Sequence, residues 1–178
     1  SIDSRNSIMY LTSNDVPVFV WLEKIKKKGY YDYHIKSEFL LDDLGYPGSK
    51  PPWGRLTSID LNSGKKLWEV PFGEYKDLID KGVPKTGTYN FGGVTGTAGD
   101  ILFATGTLDN KFTAFDSTNG DEIWSYQLPF SGSSPPTIFE FNGEQYVIVV
   151  STGSSSLKQA FPDISNFGNK VYAFKLKN

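Results

Sequence analysis

The chain has no cysteine and a single histidine, His34, among its 178 residues. The absence of cysteine excludes disulfides, thiolate metal sites and cysteine nucleophiles, and it is compatible with any redox compartment. A lone histidine has no second imidazole with which to build a histidine metal cluster. Several common classes of metal enzyme and covalent catalyst are therefore excluded before any motif is considered.

The chain also lacks a large net charge and a long apolar run. Lysine and arginine total 18 and aspartate and glutamate total 20, so the formal charge of -2 provides no overall electrostatic attraction for nucleic acid or acidic membranes. The longest apolar candidate, VPVFVWL at 16–22, is far shorter than the roughly 20 residues that span a bilayer. We expect no nucleic-acid partner and no membrane segment in this chain.

Glycine, proline and β-favouring residues, aromatic ones among them, are plentiful, whereas helical periodicity is scarce. Aromatic residues make up 15% of the chain, which also contains 18 glycines and 10 prolines. This composition, with turn residues between short apolar runs, predicts an all-β protein. The predicted strands are 8–12, 18–22, 55–61, 67–71, 94–98, 101–105, 111–116, 122–127, 136–141, 145–151 and 170–176.

A repeated phrase organises these strands into units. SIDLNSGKKLW at 58–68 is closely matched by AFDSTNGDEIW at 114–124. The strands around the second copy form a four-stranded antiparallel meander over 92–129, and 135–178 repeats its first three strands. Residues 1–72 give the same unit with an insertion at 15–54, in which Lys26–Lys28 are interpreted as a solvated surface. Three successive four-stranded antiparallel units predict the blades of a partial β-propeller.

The positions that the two copies share have a structural interpretation. Each copy has an aspartate suited to an Asx-type turn, a glycine that supplies positive φ, and a tryptophan on the outer strand that can cover the next blade. These residues are Asp60, Gly64 and Trp68 in the first copy and Asp116, Gly120 and Trp124 in the second. We expect the tryptophans to lock blades together and to have no catalytic role.

The phrase resembles the tryptophan-docking motif of the pyrroloquinoline quinone (PQQ) dehydrogenases, which are eight-bladed propellers. Four longer stretches are similar to the C-terminal portion of the glucose dehydrogenase type: GYPGSKPPWGRLTSIDLNSGKKLWEVPFGEY, GVPKTGTYNFGG, TAGDILFATGTLDNKFTAFDSTNGDEIW and FNGEQYVIVVSTG. MYLTSNDVP, at 9–17, resembles the segment just upstream in that family. Residues 23–44 resemble it least and contain no Cys-x-x-Cys-His, so no c-type haem is expected.

The resemblance implies an enzyme that oxidises the C–OH group of a sugar, glucose or another aldose, or of an alcohol. It further implies PQQ with Ca²⁺ or Mg²⁺ as cofactors, ubiquinone or a cytochrome as electron acceptor, and a periplasmic, membrane-associated complete protein. The family's metal ligands and catalytic base belong to upstream blades, so no catalytic or metal-binding residue is expected in this chain. The chain is expected to be a C-terminal fragment cut from a larger protein and inactive alone.

Three features match family positions that contact the cofactor. Asn14 matches an asparagine that hydrogen-bonds a PQQ oxygen, with a turn-capping role as the alternative. Phe91, followed by Gly92 and Gly93, matches an aromatic-Gly-Gly element at the pocket border, with core packing as the alternative for the ring. Ser154, Ser155 and Ser156 fall where relatives place a glycine-rich turn with Trp or His, and the serines depart from that pattern.

Two other functions stay open at this level. A non-catalytic propeller that serves as a protein-binding scaffold would keep the tryptophan phrases, although it would need neither Asn14 nor the NFGG at 90–93. A self-contained domain could also pair with a second copy through its open strand edges. The upstream sequence would decide between enzyme and scaffold, because it would contain or lack the metal-binding residues.

Overall fold

The computed structural model describes residues 1–154 and 167–176. Within those residues the chain folds into thirteen strands and one short helix. In chain order these are β1 (Ile2–Asp3), β2 (Ile8–Asn14), β3 (Val18–Lys27), β4 (Tyr30–Phe39), β5 (Gly54–Asp60), β6 (Lys66–Pro71), α1 (Lys76–Asp80), β7 (Asn90–Gly96), β8 (Ile101–Thr107), β9 (Lys111–Asp116), β10 (Glu122–Gln127), β11 (Thr137–Phe141), β12 (Glu144–Ser151) and β13 (Lys170–Phe174). No helix in this part of the chain is long and apolar enough to cross a membrane.

The strands form three antiparallel sheets of the predicted kind and one separate hairpin. The first sheet has the order β1-β2-β5-β6, the second β10-β9-β8-β7, and the third β11-β12-β13. In each sheet, strands that are consecutive in the repeat unit are hydrogen-bonded neighbours. This strand order is the antiparallel meander of a propeller blade. The predicted fold class is confirmed. The position of the chain in a larger propeller, and the blade boundaries given above, remain predictions.

The insertion differs from the prediction. Only 18–22 was expected to form a strand, but β3 extends to Lys27 and pairs with β4, which the sequence analysis missed. The two strands form a two-stranded sheet of their own. Strand β4 alternates tyrosine with charged and polar side chains, and almost all of its residues are exposed. Aromatic or apolar residues at Tyr31, Tyr33, Ile35 and Phe39 alternate with polar ones, which is a strand signal that the sequence analysis did not use.

The core lies between the sheets in two layers. Tyr10, Leu56 and Phe72 of the first sheet and its following loop pack against Leu102 and Phe115 of the second. On the other side of the second sheet, a further cluster joins it to the third sheet and consists of Phe112, Leu128, Val147 and Val149, with Phe103, Ile138, Tyr172 and Phe174 packed around them. The second sheet is therefore buried on both faces, and this explains why its central strands are nearly continuous runs of apolar and small residues.

The first repeated phrase docks onto the second across this interface. Trp68 Nε1 donates a hydrogen bond to the main-chain oxygen of Ser117 at 3.0 Å. The ring lies directly over Gly120, where an added Cβ would come within 2.8 Å of it. Gly64 and Gly120 have φ values of 68° and 80°, as the turn interpretation expected. The sequence analysis missed the second function of Gly120, which is to leave room for the tryptophan of the preceding sheet.

Candidate cofactor-facing site

The side chain of Asn14 joins two sheets. Asn14 is the last residue of β2 and lies opposite Gly54 of β5. Its Nδ2 donates to the main-chain oxygen of Asn90 at 2.8 Å, and its Oδ1 accepts from the main-chain N–H of Asn90 at 2.8 Å. The side-chain amide thus pairs with the first residue of β7 as a neighbouring strand would, so Asn14 bridges sheets and does not cap a local turn.

Asn90 completes this contact with its own side chain. Asn90 Nδ2 donates to Asn14 Oδ1 at 2.9 Å and to the main-chain oxygen of Ser13 at 3.2 Å. Asn90 is only 3% exposed, whereas Asn14 is exposed. The three hydrogen bonds between the two asparagines fix the orientation of the Asn14 amide, because exchanging its oxygen and nitrogen would set donor against donor and acceptor against acceptor. Sequence reasoning missed Asn90, and no local pattern marks a partner 76 residues away.

Phe91 follows Asn90 and presents its ring to solvent. The side chain is 49% exposed and belongs to neither apolar cluster, so the ring does not pack in the core. The register between β7 and β8 shifts between Asn90 and Gly93, which is a bulge. Phe91 directly follows Asn90, the residue that binds the Asn14 amide, and its ring is exposed whereas the side chain of Asn90 is buried.

The two glycines after Phe91 are required by close packing. A Cβ on Gly92 would lie 2.0 Å from the main-chain oxygen of Thr105, and a Cβ on Gly93 would lie 2.6 Å from Pro135 Cγ. Gly92 therefore allows β7 to approach β8 at the bulge, and Gly93 allows the segment before β11 to pass close by. Both glycines shape the backbone that holds Phe91 and Asn90.

Ser154 lies at the end of the third sheet, and it is buried with 7% exposure. The N–H of the preceding Gly153 donates to the main-chain oxygen of Ser131 at 2.9 Å, which ties this end of the chain to the segment before β11. Ser155 and Ser156 lie outside the described residues. The structure therefore bonds Asn14 to Asn90, the residue before Phe91, and it describes only Ser154 of the three predicted serines.

The side chains of Asn14, Asn90 and Phe91 carry no titratable group. Two close ion pairs lie elsewhere in the fold. Lys111 Nζ lies 2.5 Å from Glu74 Oε1, and Lys85 Nζ lies 2.5 Å from Glu122 Oε2. Burial raises the pKa of the neighbouring Asp109 carboxyl, although Thr107 and two main-chain N–H groups donate hydrogen bonds to it. Burial alone would lower the pKa of Lys111, but its pairing with Glu74 outweighs burial and raises it.

The candidate site can bind through one hydrogen-bond donor and one apolar surface. Nδ2 of Asn14 carries two N–H groups, and one of them is used by Asn90; within the part of the chain described, the second has no recorded acceptor. A planar ligand with a carbonyl oxygen near Asn14 could rest an edge or face against the exposed Phe91 ring. Among the described residues, no group of three or more histidine, aspartate or glutamate side chains is placed to hold a metal ion. A hydrogen-bond donor and an aromatic ring are groups that a quinone-like ligand could use, and neither Asn14 nor Phe91 is an acid or a base.

The stacked antiparallel meanders define this protein as a β-propeller protein. Residues 1–147 match the PQQ family described as the glucose/ethanol/alcohol dehydrogenase β-propeller domain. The chain therefore belongs to this family of quinoprotein dehydrogenases, which are oxidoreductases.

Curated relatives agree with this assignment. Quinoprotein glucose dehydrogenase A of Acinetobacter calcoaceticus is 34% identical over 128 residues, covering 70% of this chain and 16% of that protein. Quinate/shikimate dehydrogenase (quinone) of Acinetobacter baylyi is 32% identical over 152 residues, covering 82% of this chain and 18% of that protein. The chain thus spans less than a fifth of the length of either relative.

A solved structure agrees on the fold. The europium-containing methanol dehydrogenase superposes with a TM-score of 0.71, at 19% identity, over 99% of this chain and 32% of that chain. At this identity the similarity supports the propeller fold alone.

Proposed function

We propose that this chain is the C-terminal part of a PQQ-dependent propeller dehydrogenase that oxidises the C–OH group of a sugar or alcohol and passes the electrons to a quinone or cytochrome acceptor. Glucose and other aldoses are the favoured substrates, because two relatives at 34% and 31% identity are named glucose dehydrogenases. The observation that carries the proposal is the Asn14 amide, which Asn90 holds and which has one N–H with no recorded acceptor among the described residues; the exposed Phe91 follows Asn90 in the chain.

PQQ, with a bound Ca²⁺ or Mg²⁺ ion, would supply the hydride-accepting chemistry. The residues of this chain would bind and orient it. Asn14 would donate a hydrogen bond to a quinone oxygen, and Phe91 would border the ring system while Gly92 and Gly93 let the backbone approach. Ser154, Ser155 and Ser156 would lie at the cofactor's edge. The metal ligands and the general base would come from other blades.

Binding of PQQ to the complete dehydrogenase tests this assignment through Phe91. Because Phe91 is half exposed and outside the core, Phe91→Ser should leave folding intact and weaken PQQ binding about tenfold through lost ring contact. Titration with PQQ at fixed Ca²⁺, followed by absorbance, measures the affinity. Phe141→Ser is the matched control, since Phe141 is 60% exposed on β11, and this change should alter the affinity less than twofold.

The outcomes separate the enzyme from a scaffold. Unchanged PQQ affinity in Phe91→Ser would remove Phe91 from the site, and failure of the complete protein to bind PQQ would contradict the proposal and favour the scaffold. A substrate panel on the loaded protein would then identify the sugar or alcohol.

The isolated chain should be inactive, because the general base and the metal ligands would come from other blades. Supplied with PQQ, Ca²⁺ and glucose, it should fail to reduce an artificial dye. Dye reduction under these conditions would show that the catalytic groups lie within this chain. We place the complete protein in the periplasm, associated with the membrane, as the relatedness to quinone-reducing dehydrogenases suggests.

A further inference from the structure

The hairpin of β3 and β4 stands apart from the three sheets. Each strand has ten residues, so the ribbon is about 33 Å long, and its two strands pair with each other and with no other strand of the described chain. Phe39, at its base, packs edge-on against Tyr89 at 5.3 Å. Beyond the base most side chains are exposed on both faces. An isolated two-stranded ribbon is marginally stable in water, so a surface that covers one of its faces would stabilise this one.

Strand pairing sorts the side chains of the hairpin into two unlike faces. Even-numbered residues of β3 share a face with odd-numbered residues of β4, as the opposed pair Leu22 and Ile35 shows. All the carboxylates of the two strands, Glu23, Asp32 and Glu38, fall on the other face. We call the face formed by the even-numbered residues of β3 and the odd-numbered residues of β4 the carboxylate-free face.

The carboxylate-free face is apolar toward its middle and ends in tyrosine and lysine near the tip. Val20, Leu22 and Ile35 are 65%, 63% and 72% exposed, which is unusual for three adjacent aliphatic side chains. Closer to the tip the face carries Tyr31, Tyr33, Lys24 and Lys26.

Lysines on the two faces differ in their partners. On the opposite face, Lys27 pairs with Asp32 at 2.6 Å and Lys36 with Glu23 at 3.3 Å. Within the described residues, Lys24 and Lys26 form no recorded ion pair, and Lys24 Nζ lies 3.7 Å from the centroid of the Tyr31 ring. The carboxylate-free face therefore has two positive charges that no acidic side chain neutralises.

We propose that the carboxylate-free face of the hairpin lies on the surface of an anionic phospholipid bilayer. The aliphatic side chains would enter the boundary between headgroups and acyl chains, and the tyrosines would sit at headgroup depth. Lys24 and Lys26 would reach the lipid phosphates with their alkyl stems lying along the apolar surface. The net charge of -2 conceals this positive face, because it averages over both sides of the hairpin and the rest of the chain.

A protein partner fits this face less well. Protein interfaces are enriched in arginine and depleted in lysine, and they match charged groups with partners of opposite sign. The carboxylate-free face has lysine as its only charged residue type. Two copies packed through this face would bury lysines of both copies without a carboxylate to pair with them.

Co-sedimentation with lipid vesicles tests the proposal on the intact chain. The chain should bind vesicles of phosphatidylglycerol mixed with phosphatidylcholine, and binding should weaken as salt rises from about 0.05 to 0.3 M. Lys24→Gln with Lys26→Gln should lower the affinity at least about tenfold. Lys27→Gln with Lys36→Gln removes the same charge from the opposite face and should change the affinity less than about threefold.

A second pair of variants tests the apolar contribution. Leu22→Ser with Ile35→Ser should abolish vesicle binding at every salt concentration, whereas Phe19→Ser on the opposite face, where Phe19 is 59% exposed, should not. Unfolding temperature should be unchanged in all variants, since the hairpin contributes to neither apolar cluster.

Three results would overturn the proposal. The first is equal binding to vesicles of pure phosphatidylcholine, or no binding to either lipid. The second is an equal loss of affinity for the lysine pairs on the two faces. The third is a dimer, detected by light scattering, that dissociates when Leu22 and Ile35 are both replaced by serine. That result would assign the face to a second copy of the chain. None of these results bears on PQQ binding.

Discussion

The indole of Trp68 lies over Gly120 and binds the turn that contains it, so that the first repeat holds the second in place. The hydrogen bond from Nε1 to the oxygen of Ser117 is 3.0 Å long, and the space above Gly120 is too small for a Cβ. The same eleven-residue phrase therefore supplies a tryptophan to one side of an interface and a glycine to the other.

Replacing Gly120 by alanine should be much more destabilising than replacing Gly64. Both glycines have positive φ, which costs an alanine about 1–2 kcal/mol. A Cβ at Gly64 meets nothing within 4 Å, whereas at Gly120 it would meet Trp68 at 2.8 Å and Val70 at 3.0 Å. We expect Gly120→Ala to lose about 1–3 kcal/mol more than Gly64→Ala in urea unfolding. Equal losses would show that the ring does not rest on Gly120.

The tryptophan itself can be tested against its counterpart in the second repeat. Trp68→Phe removes the hydrogen bond to Ser117 and part of the ring contact, so the free energy of unfolding should fall by about 2 kcal/mol. Trp124 is 42% exposed and packs at the edge of Phe112 and Phe174, so Trp124→Phe should cost less than about 1 kcal/mol. A larger loss in Trp124→Phe would contradict the docking interpretation.

Asn14→Asp tests the hydrogen bonds between Asn14 and Asn90, because it replaces the side-chain nitrogen Nδ2 of Asn14 by an oxygen. The new carboxylate oxygen would face the main-chain oxygen of Asn90, where Nδ2 now donates at 2.8 Å. The lost donor and the repulsion should lower the free energy of unfolding by about 2–3 kcal/mol. The control is Asn142→Asp at an exposed turn, which should stay within about 0.5 kcal/mol. An unaffected Asn14→Asp would mean that the bridge does not stabilise the sheet interface.

Asp109 should make stability depend on pH in an unusual direction. Burial raises the pKa of its carboxyl above the ordinary value of 3.8, so between that value and the raised one the folded state binds more protons than the unfolded state. The contribution of the Asp109 carboxyl to the free energy of unfolding is therefore greatest at low pH and falls as the pH rises through this window. Asp109→Asn lacks this titration, so its stability relative to wild type should increase from about pH 4 upward. Urea unfolding of both proteins at several pH values measures the difference, and a constant difference would contradict the expectation.

Sequence reasoning was most successful where the signal is local. Turn glycines, Asx-type aspartates and apolar alternation lie within a few residues of the structure they specify, which is why the strands around both phrases were predicted nearly to the residue. The hairpin was predicted only in part, because the prediction ended β3 at 22 and did not use the alternation of aromatic or apolar with polar residues in β4. Asn90 was missed because its partner is 76 residues away and nothing in the intervening sequence announces it.

The sequence by itself determined the all-β class, the repeated unit and the family resemblance, since strand and turn preferences and repeat spacing are carried by neighbouring residues. Only the tertiary structure decided that Asn14 is held by Asn90, that Gly120 lies beneath Trp68, and that the lysines of the hairpin divide between two faces. Each of these depends on which distant segments meet and in what register. That choice is made by packing of the whole chain, because the contacts that determine it join residues far apart in sequence.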